Sequence, residues 1–236
     1  MRSSERHQLK QDQFAAATTE TLDWAVEHRN TIIVGGSILA VVLLLLIGGF
    51  YYQQNREQKA SLLLGEALQL YQAPIVPAGT PATPGVTTFN SVSDRAKAAS
   101  NKLVEISDKY GRTDSGSMST YFLGLCAEDM NDNVKAEEYF KKAADSGNKD
   151  LAALAKSALA SLYHDTGRDQ LAIDTYKQLI DKPTNTVPKP SAQLALAELY
   201  APKDPAQARK LYEDVQKENA NSPIGQLAAS KMQALK

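Results

Sequence analysis

Three alanines, Ala136, Ala172 and Ala208, stand 36 residues apart in succession. Each is followed four residues later by an aromatic ring and three later again by an apolar residue. The sets are Ala136, Phe140, Ala143; Ala172, Tyr176, Leu179; and Ala208, Tyr212, Val215. Offsets of four and seven place each set on one helix face. A fixed period of this length marks a repeat architecture, in which each unit exposes a hydrophobic face that only its neighbour can cover. Upstream of each alanine lies a large–small pair on a first helix: Leu123-Gly124, Leu159-Ala160 and Leu196-Ala197. Small residues there let paired backbones approach, and the aromatic ring fills the gap towards the next repeat. Asn133, Asp169 and Asp204 stand where the second helices need N-caps, with Pro205 at a first helical position. No stretch after residue 56 alternates like a half-buried strand. The expectation is an all-α array of helix pairs.

The flanks extend the array. Residues 56–73 read as a helix with Leu64, Ala67, Leu68 and Tyr71 on one face. Residues 91–110 read as its partner, with Ala99, Leu103, Ile106 and Tyr110 in register. Ala99 lies 37 residues before Ala136, which makes this a degenerate first pair. Between them, residues 74–90 are rich in Pro, Thr and Gly and predict an exposed loop. Ser222-Pro223 opens a last helix with Leu227, Met232 and Leu235 on one face, the capping helix a solenoid needs.

A second feature fixes where such an array resides. Residues 31–52 read TIIVGGSILAVVLLLLIGGFYY, and no charged side chain occurs between Arg29 and Arg56. A helix of this length rises about 33 Å, against a hydrocarbon core of about 30 Å. A signal peptide has a shorter apolar stretch that starts sooner and ends in small residues. This one ends in Phe50, Tyr51 and Tyr52, and Trp24 precedes it, as suits a membrane–water interface. The reading is a single-pass anchor. Residues 1–30 form a cytoplasmic and juxtamembrane segment, 31–52 the transmembrane helix, and 56–236 the repeat domain. Arg2, Arg6, Lys10 and Arg29 precede the anchor while only Arg56 and Lys59 closely follow it, which places the N-terminus in the cytoplasm. Residues 12–29 form an amphipathic stretch with Phe14, Ala17, Thr18, Thr21, Leu22 and Ala25 at helical spacing. It serves either as a juxtamembrane helix or as a docking element. Gly36 and Ala40 make a small-xxx-small pair within the anchor.

The chain carries 26 Lys and Arg against 27 Asp and Glu. That balance leaves no electrostatic footprint for nucleic acid. One cysteine, Cys126, excludes an internal disulfide framework and reads as a small core residue. The three histidines, His7, His28 and His164, have no metal-ligand spacing. No phosphate loop, nucleotide fingerprint or zinc-protease motif occurs. No catalytic, metal or cofactor residue is therefore expected, and a binding module is favoured over an enzyme. Glu137, Glu138, Lys141 and Lys142 supply i, i+4 charge pairs for a solvated helix face.

The repeats resemble the tetratricopeptide repeat. The middle copy matches its pattern at Leu159, Ala160, Tyr163, Gly167, Ala172 and Tyr176. The first has Leu123, Gly124, Ala136, Phe140 and Ala143, with Ala127 at an aromatic position. The third has Leu196, Ala197, Tyr200, Ala208 and Tyr212, with one residue lost at the turn. The first-helix Trp and the closing Pro are absent. The fold implied is a single N-terminal transmembrane helix followed by a tetratricopeptide-like α-solenoid with a C-terminal capping helix. Its inner, first-helix face would grip extended peptides or a partner's helix. Tyr121, Glu128, Tyr163 and Tyr200 are the candidate partner-binding residues, and each tyrosine also has a reading as core packing.

The layout of short basic segment, anchor and C-terminal repeats looks like the YfgM-like ancillary subunit family of the bacterial Sec translocon. The series YFLGLCAEDMNDNVKAEEYFKKAAD, and LALAELYAPKDPAQARKLYEDV followed by SPIGQLAASKMQAL, carry that resemblance. It implies an inner-membrane protein with a periplasmic C-terminal domain. The implied partners are SecYEG, a membrane-anchored periplasmic chaperone of prolyl-isomerase type, and unfolded or extended client polypeptides. The insertion at 74–90 departs from a compact version of that fold. An adaptor for envelope assembly or cell division is the alternative built from the same repeats.

Overall fold

A computed structural model describes residues 26, 28–77, 79 and 84–235. The expected amphipathic stretch at 12–25, Trp24, and the basic residues Arg2, Arg6 and Lys10 lie outside the described residues. The chain divides into two compact units, Met1–Gln54 and Asn55–Lys236. Nine helices occur among the described residues: α1 (Arg29–Tyr71), α2 (Val92–Tyr110), α3 (Asp114–Asp129), α4 (Asn133–Ala144), α5 (Lys149–Asp165), α6 (Asp169–Asp181), α7 (Lys189–Tyr200), α8 (Pro205–Glu218) and α9 (Pro223–Ala234). The fold is all-α, as expected.

The two helices read over 31–52 and 56–73 are one element, α1. Nothing between Tyr52 and Arg56 breaks it, because Gln53, Gln54 and Asn55 bring neither Gly nor Pro into the helix. In the first unit, Val34, Ile38, Leu39, Leu44, Leu45 and Ile47 are exposed along α1. The helix is long and apolar enough there to cross a membrane.

In the second unit each helix packs on the next from α2 to α9. Ala60, Leu64 and Ala67 of α1 join Ala96, Ala99, Leu103, Ile106 and Tyr110 of α2 in the first cluster. Glu57 clasps the start of α3, where its carboxylate accepts from Ser115 N at 3.3 Å and Ser115 Oγ at 2.5 Å. The loop after α1 is closed at its base by a short parallel bridge between Ile75 and Phe89. Val76 N donates to Phe89 O at 2.8 Å, and Phe89 N donates to Pro74 O at 3.0 Å.

The seam residues are buried in every repeat. Ala136, Phe140, Ala160, Ala172, Ala197 and Ala208 have no exposed surface. Gly124 shows why the small position is needed. A methyl group there would meet the Phe140 ring at 2.4 Å, and that ring is itself fully buried. Ala160 with Tyr176, and Ala197 with Tyr212, occupy the same clusters in the next two pairs. Ala143, Leu179 and Val215 complete the buried faces.

The turns depart from expectation in detail. The N-cap of α4 is Asp132, which accepts from Lys135 N at 3.1 Å, and Asn133 is already helical. The residue before α6 is Arg168, with no side-chain cap. Asp169 is helical, and its carboxylate is drawn into bonds with His164 and Lys203 instead. Asp204 caps α8 as expected, accepting from Gln207 N at 3.1 Å. Gly167 has φ +76, and Asn131 takes the same left-handed place in the first hairpin with φ 59. The third hairpin has no left-handed residue among those described. There α7 ends at Tyr200, and Pro202 falls in the turn where it cannot prolong the helix.

The last helix also differs. Ser222 caps it, accepting from Gly225 N at 3.3 Å. Leu227 does not share the inward face, because it is 47% exposed, while Ala228 is fully buried. Ile224, Met232 and Leu235 pack against the same cluster. The Glu137–Lys141 pair forms at 2.7 Å, whereas Glu138 and Lys142 form no ion pair with each other.

Gly124→Ala should cost about 1–3 kcal/mol, the ordinary range for forcing atoms into a packed core. Urea unfolding of the detergent-solubilised chain, followed by circular dichroism, measures this. A variant as stable as the parent would show that the Gly124–Phe140 approach does not limit the seam.

Candidate functional site

The first helices of the pairs, α3, α5 and α7, carry the residues that face a partner in a repeat of this kind. Their buried sides are fixed by Leu123, Leu159 and Leu196. The opposite sides set Glu128 on α3, Ser161 and Asp165 on α5, and Ala195 and Glu198 on α7. A groove of ≈ 340 Å³ opens between α5 and α7 and is lined by Ser161, His164, Asp165, Ala195 and Glu198, with Tyr176 of α6 in its wall. Tyr176 Oη lies 3.1 Å from Ser161 Oγ, so its polar end is satisfied at the groove. A further recess of ≈ 490 Å³ continues from Ala195 and Glu198 to Leu194, Ile224 and Leu227 between α7 and α9.

The four expected partner-binding residues are not gathered in this groove. Tyr121 is half-buried, with its ring 5.5 Å from Phe122 and 5.8 Å from Phe140 between centroids. Burial, and then the Glu128 carboxylate, push its hydroxyl pKa up. Tyr163 is buried beneath the Arg168 guanidinium, which stands 4.6 Å from its ring centroid. Tyr200 is half-buried against both the middle and the C-terminal clusters. Glu128 is half-buried and electrostatically coupled to Asp165 across the α3–α5 step. Burial, then Asp165 and Asp129, raise its pKa from an ordinary 4.5 to about 7.

Links between repeats that the sequence analysis did not foresee hold the repeats to one another. Arg168 Nη1 donates to Glu137 Oε2 at 2.6 Å and joins the first repeat to the second. Asp169 accepts from Lys203 and pairs with His164 Nδ1 at 2.7 Å, joining the second to the third. Lys231 Nζ donates to Glu198 at 2.6 Å and ties the capping helix back to α7. The Lys141 and Arg168 hydrogen bonds hold the Glu137 carboxyl below its ordinary range, with Lys141 the larger influence. The signal in the sequence was faint. Glu137–Arg168 and Asp169–Lys203 lie 31 and 34 residues apart, close to one repeat period. Asp165 and Glu198 carry no mark in the sequence that sets them apart from other acids of the chain.

The first pair carries its own polar knot. Arg95 pairs with Asp129 at 3.5 Å and lies 5.3 Å from the Tyr71 ring centroid. Burial is the main cause that raises the pKa of Tyr71, and it pushes the Cys126 thiol up to about 12. Cys126 is thus a protonated core thiol, not a nucleophile. Among the described residues no group of three or more His, Cys, Asp or Glu side chains could hold a metal ion.

The folded chain holds the Glu128 proton more tightly than the unfolded chain. The stability this adds is full below about pH 4.5 and is lost as pH rises through about 7. Glu128→Gln should flatten that part of the profile and stabilise the protein above pH 7. Thermal unfolding of both forms between pH 4.5 and 8 checks this, and parallel profiles would show that Glu128 titrates normally.

A family model, the tetratricopeptide repeat-like domain, matches residues 22–178. No curated protein matches the chain. Among solved structures, the chain is similar to the nearly identical TPR-like repeats of a protein from Podosopora anserina described as a putative kinesin light chain, and to a single-substitution variant of it. In both cases the identity is 14% and the TM-score 0.55, with 75% of this chain and 84% of the other covered. At that identity the likeness shows the fold alone, a helical-repeat solenoid. With its matching family model and its alanine–aromatic seams, this chain belongs to the tetratricopeptide repeat-like domain family.

Proposed function

We propose that the protein is a membrane-anchored scaffold, an ancillary subunit at the bacterial Sec translocon that assists newly translocated polypeptides. In this reading residues 31–52 cross the inner membrane, residues 1–30 face the cytoplasm, and residues 56–236 form a periplasmic repeat domain. The observation that carries it is the union in one chain of a charge-free, exposed apolar helix with a tetratricopeptide-like array. The anchor confines the array beside the bilayer, where tethering raises its effective concentration towards anything leaving a channel. The groove from α5 to α9 offers an apolar floor of Ala195, Leu194 and Leu227 with Ser161, Asp165 and Glu198 along its edge. That surface suits short stretches of extended chain held weakly. Tyr121, Glu128, Tyr163 and Tyr200 contribute in different ways. Glu128 stands outside the groove and is coupled to Asp165 on its edge, and the three tyrosines act mainly by packing the helices of the array. The partners are SecYEG and a membrane-anchored periplasmic chaperone, with unfolded clients passing between them.

A photo-crosslinking residue at Ala195 or Leu227, activated in intact membranes, tests the assignment. Adducts with SecYEG subunits, the chaperone or exported polypeptides are expected. Adducts with division or outer-membrane assembly proteins in their place would assign the scaffold to envelope assembly. Protease added to spheroplasts should digest the repeat domain, and full protection of that domain would reverse the orientation.

A further inference from the structure

A recess of ≈ 670 Å³ opens between the first two turns of α5 and the end of α6, and it shares no residue with the first-helix groove. Ala152, Ala153 and Leu179 give it an apolar floor. Lys149, Lys156 and Lys182 stand around it, against one acid, Asp181. None of these three lysines has an ion-pair partner among the described residues. Lys102, Lys141, Lys189, Lys203 and Lys231 all do. The neighbouring acid on α5 is committed elsewhere: Asp150 accepts from Asn185 N at 3.1 Å and Thr186 N at 3.4 Å. The first amides of α5 are committed too, since Asn148 Oδ1 accepts from Asp150 N and Leu151 N. The three ammonium groups are therefore the charged donors that this recess offers, beside the neutral side-chain amide of Gln178.

We propose that this recess docks an acidic stretch of a partner protein in extended conformation. An apolar side chain of that stretch rests on Ala153 and Leu179, and its carboxylates meet Lys149 and Lys156. Those lysines are seven residues apart on α5, or about 10.5 Å of helix rise. An extended chain advances about 3.3 Å per residue and turns every second side chain to one face, so carboxylates four residues apart lie on one face about 13 Å apart with an apolar side chain midway between them, a span that the flexible lysine stems can meet. A flat anionic bilayer neutralises charges that protrude, whereas these surround a hollow with an apolar base. The inference goes beyond the translocon assignment and does not depend on it.

The full chain in zwitterionic nanodiscs provides the test. The probe is a fluorescein-labelled decapeptide with Glu at its third and seventh positions and Leu at its fifth; the control is the same peptide with Gln at both Glu positions. Anisotropy should show binding of the Glu peptide that weakens as ionic strength rises. The Gln peptide, and the double variant Lys149→Glu with Lys156→Glu, should each lose about tenfold in affinity, as expected when two exposed charge pairs are removed or reversed. Lys149→Gln with Lys156→Gln should lie between, and Lys177→Glu, exposed on α6 outside the recess, should stay within about twofold. Equal affinity for the two peptides, or no effect of either double variant once circular dichroism shows it folded, would overturn the proposal. So would nanodiscs containing phosphatidylserine that shield all three lysines from amine-reactive labelling while no peptide binds, since that would give the face to the membrane.

Discussion

Close approach of two helices at a side chain too small to keep them apart is the condition on which the repeat domain rests. At Gly124 the constraint is most severe, because even a methyl group would overlap the Phe140 ring. Ala160 and Ala197 carry a methyl at the equivalent position, and share their clusters with Tyr176 and Tyr212. The two solutions are complementary in volume. The small residue admits the ring, and the ring fills the space that the small residue leaves, which gives close packing without voids. The pairs then stack because each exposes an apolar strip that the next covers. The order of the helices in space follows their order in the chain.

Polar links set the register once that stacking exists. Glu137–Arg168, Asp169–Lys203 and Glu198–Lys231 each reach from one pair to the following element. Exposed ion pairs of this kind contribute little to stability. Their effect is geometric, since each is satisfied at one rotation of its pair and lost at others. Tyr163 beneath Arg168 illustrates the division of labour. Its ring belongs to the core, and the guanidinium above it is simultaneously the link to the preceding repeat.

Much of the fold was legible because helical periodicity and a 36-residue repeat act over long stretches, where many weak signals add. The buried faces at Leu103, Ile106 and Tyr110, and at Phe140, Tyr176 and Tyr212, follow directly from spacing. What was not legible depended on which of several adequate residues wins a local contest. Asp132 and Asn133 could each cap α4, and only the backbone geometry selects Asp132. Asp169 looked like a cap, yet the nearby His164 and Lys203 draw its carboxylate away. Leu227 and Ala228 are neighbours on a weakly amphipathic helix, and a small rotation decides which is buried. The candidate groove was hardest to read. It is built from what the core does not use, so Asp165, Glu198 and Ser161 carry no periodic mark of their own.

The apolar interior is not continuous but falls into three clusters, and few side chains belong to two of them. Tyr139 touches the first and the second, while Tyr200 and Leu211 touch the second and the third. Cooperativity along the array must pass through these bridging groups. The C-terminal cluster joins α7, α8 and α9 and meets the middle one through few side chains, so this end is where local opening is expected to begin. Such a scaffold yields to tension one module at a time, so a pull on its C-terminal end would be absorbed as extension before the remaining pairs are disturbed.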